Sequence, residues 1–536
     1  MENRVLIALI LSIIVIAVFS YLYNILFPPP NLPTSIKNAT NKTTKNLKPI
    51  SKSKEKIQFI KTNKIQLKSY FVETSYYNST LISSGARFKN FKLKRYFVEE
   101  NKREPIELVS SPQESLPLEI YLETDPEIAI INFNGPNVSK IVLNNSTSKT
   151  LKFWAKKENL YIEKEIVFKN DSYFMDYIIK LKNLGNNPIQ DRLLIRGVFE
   201  PFSQGTRYTF KGPYYYTDHL NEVKLKDKIN EYVGSLKYLG YQDVYFIVAV
   251  IPEVLTNATY RATFRKINQE TQEFILWTPP FKLDPGQTFT YKFKLYMGPK
   301  KTEEMKKEYP LLTKALYFGI FDFVAKPLLY GLKFFNKFTH NYGWDIVILT
   351  VLLRLLFFPL NHFSYKSMKR MQELQPIFQR LREKYKDDPK TLNKELMDLY
   401  KRYKINPFSG CLPILIQIPV FIAFYKVLLM AIELRHAPFI LWITDLSAPE
   451  RLYIGNFHIP YLGGIPLLTI LMGASMYLQQ KLSPSVSDPF QAKIMNLMPI
   501  IFTILFINFP SGLVLYWFVN NILSIGQQYF TLKISK

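Results

Sequence analysis

A single cysteine, Cys411, occurs in 536 residues, so no intramolecular disulfide framework exists. It opens an apolar run and reads as a small buried hydrophobe. The five histidines, at positions 219, 340, 362, 436 and 458, show no metal-ligand spacing to one another. HExxH, GxSxG, Walker and GxGxxG patterns are all missing, which excludes the usual signatures of zinc and serine hydrolases, ATPases and dinucleotide enzymes. No cofactor, metal or catalytic residue is expected. Acids are scarce as well: 43 Asp and Glu face 69 Lys and Arg, a net charge of +26. The hydrophobic fraction of 47% is high for a chain with 21% charged residues. Apolar spans alternating with charged soluble pieces reconcile the two.

Val5 to Phe27 is an apolar stretch preceded by Arg4, longer than a signal-peptide core and without a small-x-small cleavage site before Pro28-Pro29-Pro30. Residues 1–27 therefore read as an uncleaved signal-anchor helix, and 28–56, rich in Pro, Asn, Thr and Lys, as a flexible tether. From 57 to 300 the pattern changes to short runs of Tyr, Phe, Ile and Val. They include Leu118–Leu122, Ile128–Phe133, Leu160–Phe168, Tyr173–Leu181, Leu193–Phe199, Val244–Ile251, Glu273–Trp277 and Phe289–Tyr296. Several alternate, and turn signals such as Asp284-Pro285-Gly286 separate them, which predicts an all-β sandwich. Residues 301–341 read as an amphipathic helix lying in the membrane interface and bent at Pro327, or as one docked on the sandwich.

Residues 342–536 hold five further apolar segments: Gly343–Asn361, Leu412–Leu434, Ile465–Gln480, Ile494–Phe509 and Gly512–Thr531. Between the first two, residues 362–410 carry twelve Lys or Arg against six acids. Apolar seams there (Met371, Leu374, Phe378, Leu381, Tyr385; then Leu392, Leu396, Leu399, Tyr403) predict an antiparallel helical hairpin. Asp388-Pro389 supplies the start of its second helix. The loops 435–464 and 510–511 are poor in cations. Six spans then place both termini and the hairpin in the cytoplasm and the β-domain outside. For so basic a chain, anionic lipid head groups and the ribosome are the first partners to consider.

One charge stands well inside a span. Arg354 costs roughly 2.5–3.5 kcal/mol at mid-helix and needs a bundle interior, a wet cavity or a route to the surface. Thr350 lies one turn earlier on the same face. Gln417 sits between Pro413 and Pro419, which weaken that helix's backbone ladder. Tyr516 and Asn520 share a face, and Trp517 lines the adjacent strip. No acid lies at Arg354's depth in any span, so an unpaired guanidinium implies water. The substrate groove expected from these positions comprises Arg354, Thr350, Gln417, Pro419, Phe421, Tyr516, Trp517 and Asn520. Lys426, in the outer half of its span, is within reach of Glu433 or the surface.

The run from Trp344 onward resembles the YidC/Oxa/Alb membrane protein insertases. The match is carried by the Arg-bearing Leu352–Leu360, by Asn406-Pro-Phe-Ser-Gly-Cys-Leu-Pro-Ile-Leu-Ile-Gln-Ile-Pro, by Glu433-Leu-Arg-His-Ala-Pro-Phe with Trp442-Ile-Thr-Asp-Leu-Ser, by Lys493-Ile-Met and by Phe509-Pro-Ser-Gly-Leu-Val-Leu-Tyr-Trp. The anchor and β-domain resemble the form with a large periplasmic supersandwich. The resemblance implies a five-helix core in the bacterial inner membrane, nascent membrane proteins as clients, and cooperation with the SecYEG translocon. It assigns the groove arginine to Arg354, its polar neighbour to Thr350, the groove glutamine to Gln417 and the aromatic pair to Tyr516 and Trp517. Trp517 departs from the more usual second tyrosine, and Lys426 from an uncharged residue. The tail after Thr531 is short, so ribosome contacts fall to the cytoplasmic loops. Two other classes stay open from residues alone: a small-anion transporter using Arg354, which lacks the expected internal repeats, and a carbohydrate-active β-domain using Glu99, Glu100 or Asp218, which lacks a marked carboxylate pair.

Overall fold

The computed structural model describes residues 67–534 apart from 100–102, 111–115, 145–146, 204–208, 226–228, 254–257, 404–411, 456–458, 460–461 and 483–488. The expected anchor (1–27) and tether (28–56), together with Cys411 and Glu100, lie outside the described residues.

The predicted sandwich is present. An eight-stranded antiparallel sheet runs in the order 220–222, 212–216, 238–242, 246–252, 288–299, 174–183, 160–169, 148–157. A five-stranded sheet (230–234, 260–266, 272–277, 193–199, 119–122) packs on it, with Phe199 stacked on Tyr241 at 5.4 Å and Tyr215 on Phe264 at 5.6 Å. A second five-stranded sheet (105–107, 87–97, 77–82, 69–73, 140–142) meets the other end through Tyr70 against Phe153 and Phe88 against Phe168. The strand Thr288–Pro299 shows why alternation is informative. Tyr291, Phe293 and Leu295 point inward while Lys292 points out, and beyond Leu295 the strand is buried on both faces. One expected strand, Ile128–Phe133, is instead led by a 3₁₀ turn, Pro126–Ala129. Asp125 accepts from the Glu127 N–H at 3.2 Å, and Pro126 supplies no N–H for a ladder.

Charge is buried inside the sandwich as an alternating ladder. Arg87 Nη1 donates to Glu119 at 2.5 Å, Arg196 Nη1 donates to the other oxygen of Glu119 at 3.1 Å, and both Arg196 and Arg265 donate to Glu273. Both carboxylates are almost fully buried. Beside this ladder, Lys164 is enclosed and donates to the Gly85 carbonyl at 2.5 Å.

The stretch 301–341 is not one helix. It divides into α1 (Thr302–Lys306), 3₁₀ turns at Pro310–Ala315 and Gly319–Phe321, and α2 (Asp322–Thr339). Pro310 and the positive φ of Gly319 (82°) interrupt the ladder. In α2, Ala325, Leu328, Leu329 and Leu332 are buried, whereas Phe323, Tyr330, Phe334 and Phe338 are exposed along another face.

The helical part comprises α3 (Tyr342–Leu356), α4 (Phe358–Glu373), α5 (Gln375–Lys384), α6 (Pro389–Arg402), α7 (Leu412–Met430), α8 (Leu467–Leu482), α9 (Pro489–Phe506) and α10 (Ser511–Ile534). Among the described residues no single helix is long and apolar enough to cross a membrane. The pair α3 and α4 passes together, bent by 62°. The expected continuous span Gly343–Asn361 is therefore broken, at Phe357, because Pro359 cannot donate and its ring crowds the carbonyl of Leu355. The hairpin forms from α5 and α6, but its expected first seam is divided: Met371 lies in α4, Leu374 at the junction, and Pro376 opens α5. Phe378 is buried against Tyr400 at 5.3 Å, and Asp388 caps α6 by accepting from the Lys390 and Thr391 N–H groups.

The β-domain and bundle meet at the residues just after α7. Arg435 Nη2 donates to the carbonyls of Phe97 (2.6 Å) and Val98 (3.1 Å), with its guanidinium over Tyr245 and Phe246. Glu433 pairs with Lys333 at 2.5 Å.

Two outcomes follow for the β-domain. Glu273→Gln leaves Arg196 and Arg265 facing a neutral amide. Unfolding of the full-length protein in detergent should fall by about 3–5 kcal/mol, and an unchanged midpoint would show that the ladder is dispensable. Burial, then repulsion from Arg87, lowers the Lys164 pKa to about 7. Between that value and roughly 10.4, the unfolded chain binds the extra proton, so stability rises with pH across the window. The slope is at most about 1.4 kcal/mol per pH unit. Lys164→Met should flatten that rise, and a variant with the wild-type slope would contradict the assignment.

Candidate functional site

Arg354 occupies the last turn of α3, immediately before the break. This position suits a cation twice over. The C-terminal carbonyls of the helix carry partial negative charge, and the chain beyond Phe357 turns away and leaves space beside the guanidinium. Across the break Arg354 Nη2 donates to the Tyr365 hydroxyl at 3.0 Å, while its Nε is buried without a hydrogen-bond partner. Among the described residues no carboxylate lies within ion-pair distance of it. Asp345, the acid of the same helix, sits near the opposite end, where Thr339 (2.5 Å) and Asn336 (2.8 Å) donate to its two oxygens.

A small cavity of about 20 Å³, enough for about one water, opens beside this guanidinium, lined by Thr350, Arg354, Gln417, Tyr516 and Asn520 together with Leu353, Phe357, Leu360, Asn361 and Val420. Three helices far apart in sequence, α3, α7 and α10, thus deliver polar groups to one space. Tyr516 is 2% exposed and stacked on Phe424 at 4.7 Å, which fixes its ring. Its hydroxyl accepts from Gln417 Nε2 at 3.4 Å, a long bond that restrains the amide weakly. The Thr350 hydroxyl donates to its own helix at Ile346 O (2.6 Å), which spends its proton and leaves it as an acceptor.

Of the eight groove positions expected from sequence, these five come together and three do not line the cavity. Phe421 and Trp517 meet edge-on at 4.8 Å and build an aromatic cluster with Phe506 and Phe502. Pro419 contributes to the backbone of α7 and not to the lining. Asn521 is spent on a helix–helix bond to Ser475 Oγ at 2.9 Å.

Tyr365 and Asn361 were missed by the sequence reading. On a straight helix eleven residues separate Arg354 from Tyr365 by about 16 Å, and residues from 362 onward read as cytoplasmic. The Phe358-Pro359 break, read together with a tyrosine on the same helical face, was the signal available. The break is also stapled from α10: Gln527 Nε2 donates to Phe358 O at 3.0 Å, and Thr531 Oγ1 lies 3.3 Å from His362 Nδ1.

Comparison with known proteins fits this division of the chain. Residues 69–330 match the family model for the YidC periplasmic domain, and residues 334–536 match the model for the 60Kd inner membrane protein. The chain is 38% identical to the membrane protein insertase YidC of Syntrophobacter fumaroxidans over 99% of both chains. It is 37% identical to that of Pelobacter propionicus over 100% of this chain and 99% of the relative. With that of Syntrophus aciditrophicus it shares 40% identity over 86% and 84%. The chain belongs to the YidC family of membrane protein insertases, inner-membrane proteins in which a periplasmic β-domain precedes a helical insertase core.

Proposed function

We propose that the cavity beside Arg354 is where a client's polar segment enters the bilayer while its apolar segment leaves sideways into lipid. The observation that carries this reading is a guanidinium facing a polar-lined cavity with only a neutral hydroxyl for a partner. A hydrophilic tail crossing bare hydrocarbon loses its hydration at a cost of several kcal/mol per unsatisfied group. A wet cavity reaching part way across shortens that path, and its cation attracts carboxylates. Burial of the client's apolar helix, at about 25 cal/mol per Å², supplies the driving force without nucleotide hydrolysis.

In this reading the bundle contributes five spans, with α3 and α4 as a broken one, and the anchor of residues 1–27 contributes a sixth. Both termini and the α5–α6 hairpin face the cytoplasm. SecYEG is a partner for clients too large to insert unaided, the ribosome docks weakly on the cytoplasmic loops, and anionic lipids neutralise the basic surface. The anion-transporter and carbohydrate-enzyme alternatives lose their ground to family membership.

Photocrosslinkers at 417, 516 and 520 should capture a nascent membrane protein, whereas one at 502, in the aromatic cluster, should not. Equal capture from all four positions, or none from the cavity, would refute the route. Tyr365→Phe removes the hydroxyl that holds Arg354 and should slow insertion of a client with an acidic translocated tail several-fold. A client with an uncharged tail should be little affected. Equal slowing of both clients, measured by protease protection, would mean that Tyr365 acts only on stability.

A further inference from the structure

A second and larger cavity, of about 500 Å³, lies where the β-domain meets the bundle. From the β-domain it takes Lys211, Glu222 and Lys224. From the bundle it takes Lys426 and Met430, in the last two turns of α7, and from the turn before α2 it takes Tyr317 to Gly319. We propose that this cavity holds the phosphodiester head group of an anionic phospholipid from the periplasmic leaflet.

Location comes first. One wall belongs to a periplasmic domain and the other to the end of an apolar helix, so the cavity sits at the level of the membrane surface. The residues leading away from it are apolar and exposed: Tyr317 is 44% accessible and Ile320 is 83%. Side chains of this kind suit acyl chains entering beside a seated head group. Charge comes second. Three lysines face one carboxylate, and Glu222 is surrounded further by Lys300. Burial raises the Glu222 pKa while Lys300, Lys224 and Lys426 pull against it. A lysine near the end of a span is stable where an anion meets it, and basic pockets at the ends of membrane helices are the chemistry that holds lipid phosphates. Size comes third. At about 500 Å³ the volume falls within the roughly 300–1,000 Å³ common for small-molecule sites and exceeds the needs of a bare phosphate. A head group together with its glycerol fits it better. The Lys211 ammonium donates to Ser203 O at 3.0 Å, which orients it and leaves further donors for an anion.

The test uses the full-length protein in phosphatidylcholine nanodiscs doped with photoreactive phosphatidylglycerol. Crosslinked peptides should map to residues 209–225 and 426–430. K211Q/K224Q should cut that labelling by about five-fold or more, while the exposed control pair K149Q/K156Q on the outer strand leaves it unchanged. K224E, at an exposed side chain with no structural bond to lose, should lower labelling by itself. The proposal is overturned if photoreactive phosphatidylcholine labels the same peptides equally, or if the control pair loses as much. Displacement of the label by millimolar inorganic phosphate also overturns it and assigns the cavity to free phosphate.

Discussion

A guanidinium without a countercharge, set inside an apolar bundle, is the constraint around which the helical half is arranged. No described carboxylate approaches Arg354 within ion-pair distance. The fold answers by breaking its helix one turn later, placing the charge among carbonyl ends, lending it one hydroxyl from Tyr365 and opening a cavity lined by Gln417, Tyr516 and Asn520. Each measure lowers the cost of the charge, and none cancels it. A cation kept available in this way is what the proposed route for a client's polar segment requires.

The β-domain treats the same residue type in the opposite manner. Arg87, Arg196 and Arg265 are threaded between Glu119 and Glu273, so that each buried carboxylate meets two guanidinium groups. Such a ladder is costly to assemble and costlier to break, and nothing in it is left for a ligand. One chain thus shows arginines that are locked and an arginine that is held open. The docking of the two halves is a third case. Arg435 reaches across to the carbonyls of Phe97 and Val98 and ties the β-domain to the end of α7, the helix that carries both Gln417 of the cavity beside Arg354 and Lys426 of the one at the domain junction.

Much of this was legible in the sequence, for physical reasons. Apolar runs bounded by turn signals located seven of the twenty strands among the described residues, and two-residue alternation marked half-buried stretches such as the first half of Thr288–Pro299. Leu193–Phe199 was bounded to the residue, whereas Pro126 turned the head of another run into a 3₁₀ turn. The Asp388-Pro389 cap and the apolar seams gave the hairpin. The polar positions at Arg354, Thr350, Gln417, Tyr516 and Asn520 were legible because polar groups in spans are expensive. The break at Phe357 was not foreseen, although Pro359 was visible, because length and apolarity outweighed one proline. Tyr365 was missed for that reason. Trp517 and Phe421, also expected in the groove, pack with Phe502 and Phe506 in an aromatic cluster outside the lining of the cavity beside Arg354.

Water access to the space beside Arg354 is the most direct measure of the account. With Cys411 replaced by serine, a lone cysteine at Gln417 or Asn520 can be challenged with a membrane-impermeant maleimide in oriented vesicles. The account predicts labelling from the cytoplasmic face, with none at a cysteine replacing Phe502 in the aromatic cluster. Protection of both cavity positions until detergent dissolves the membrane would contradict it.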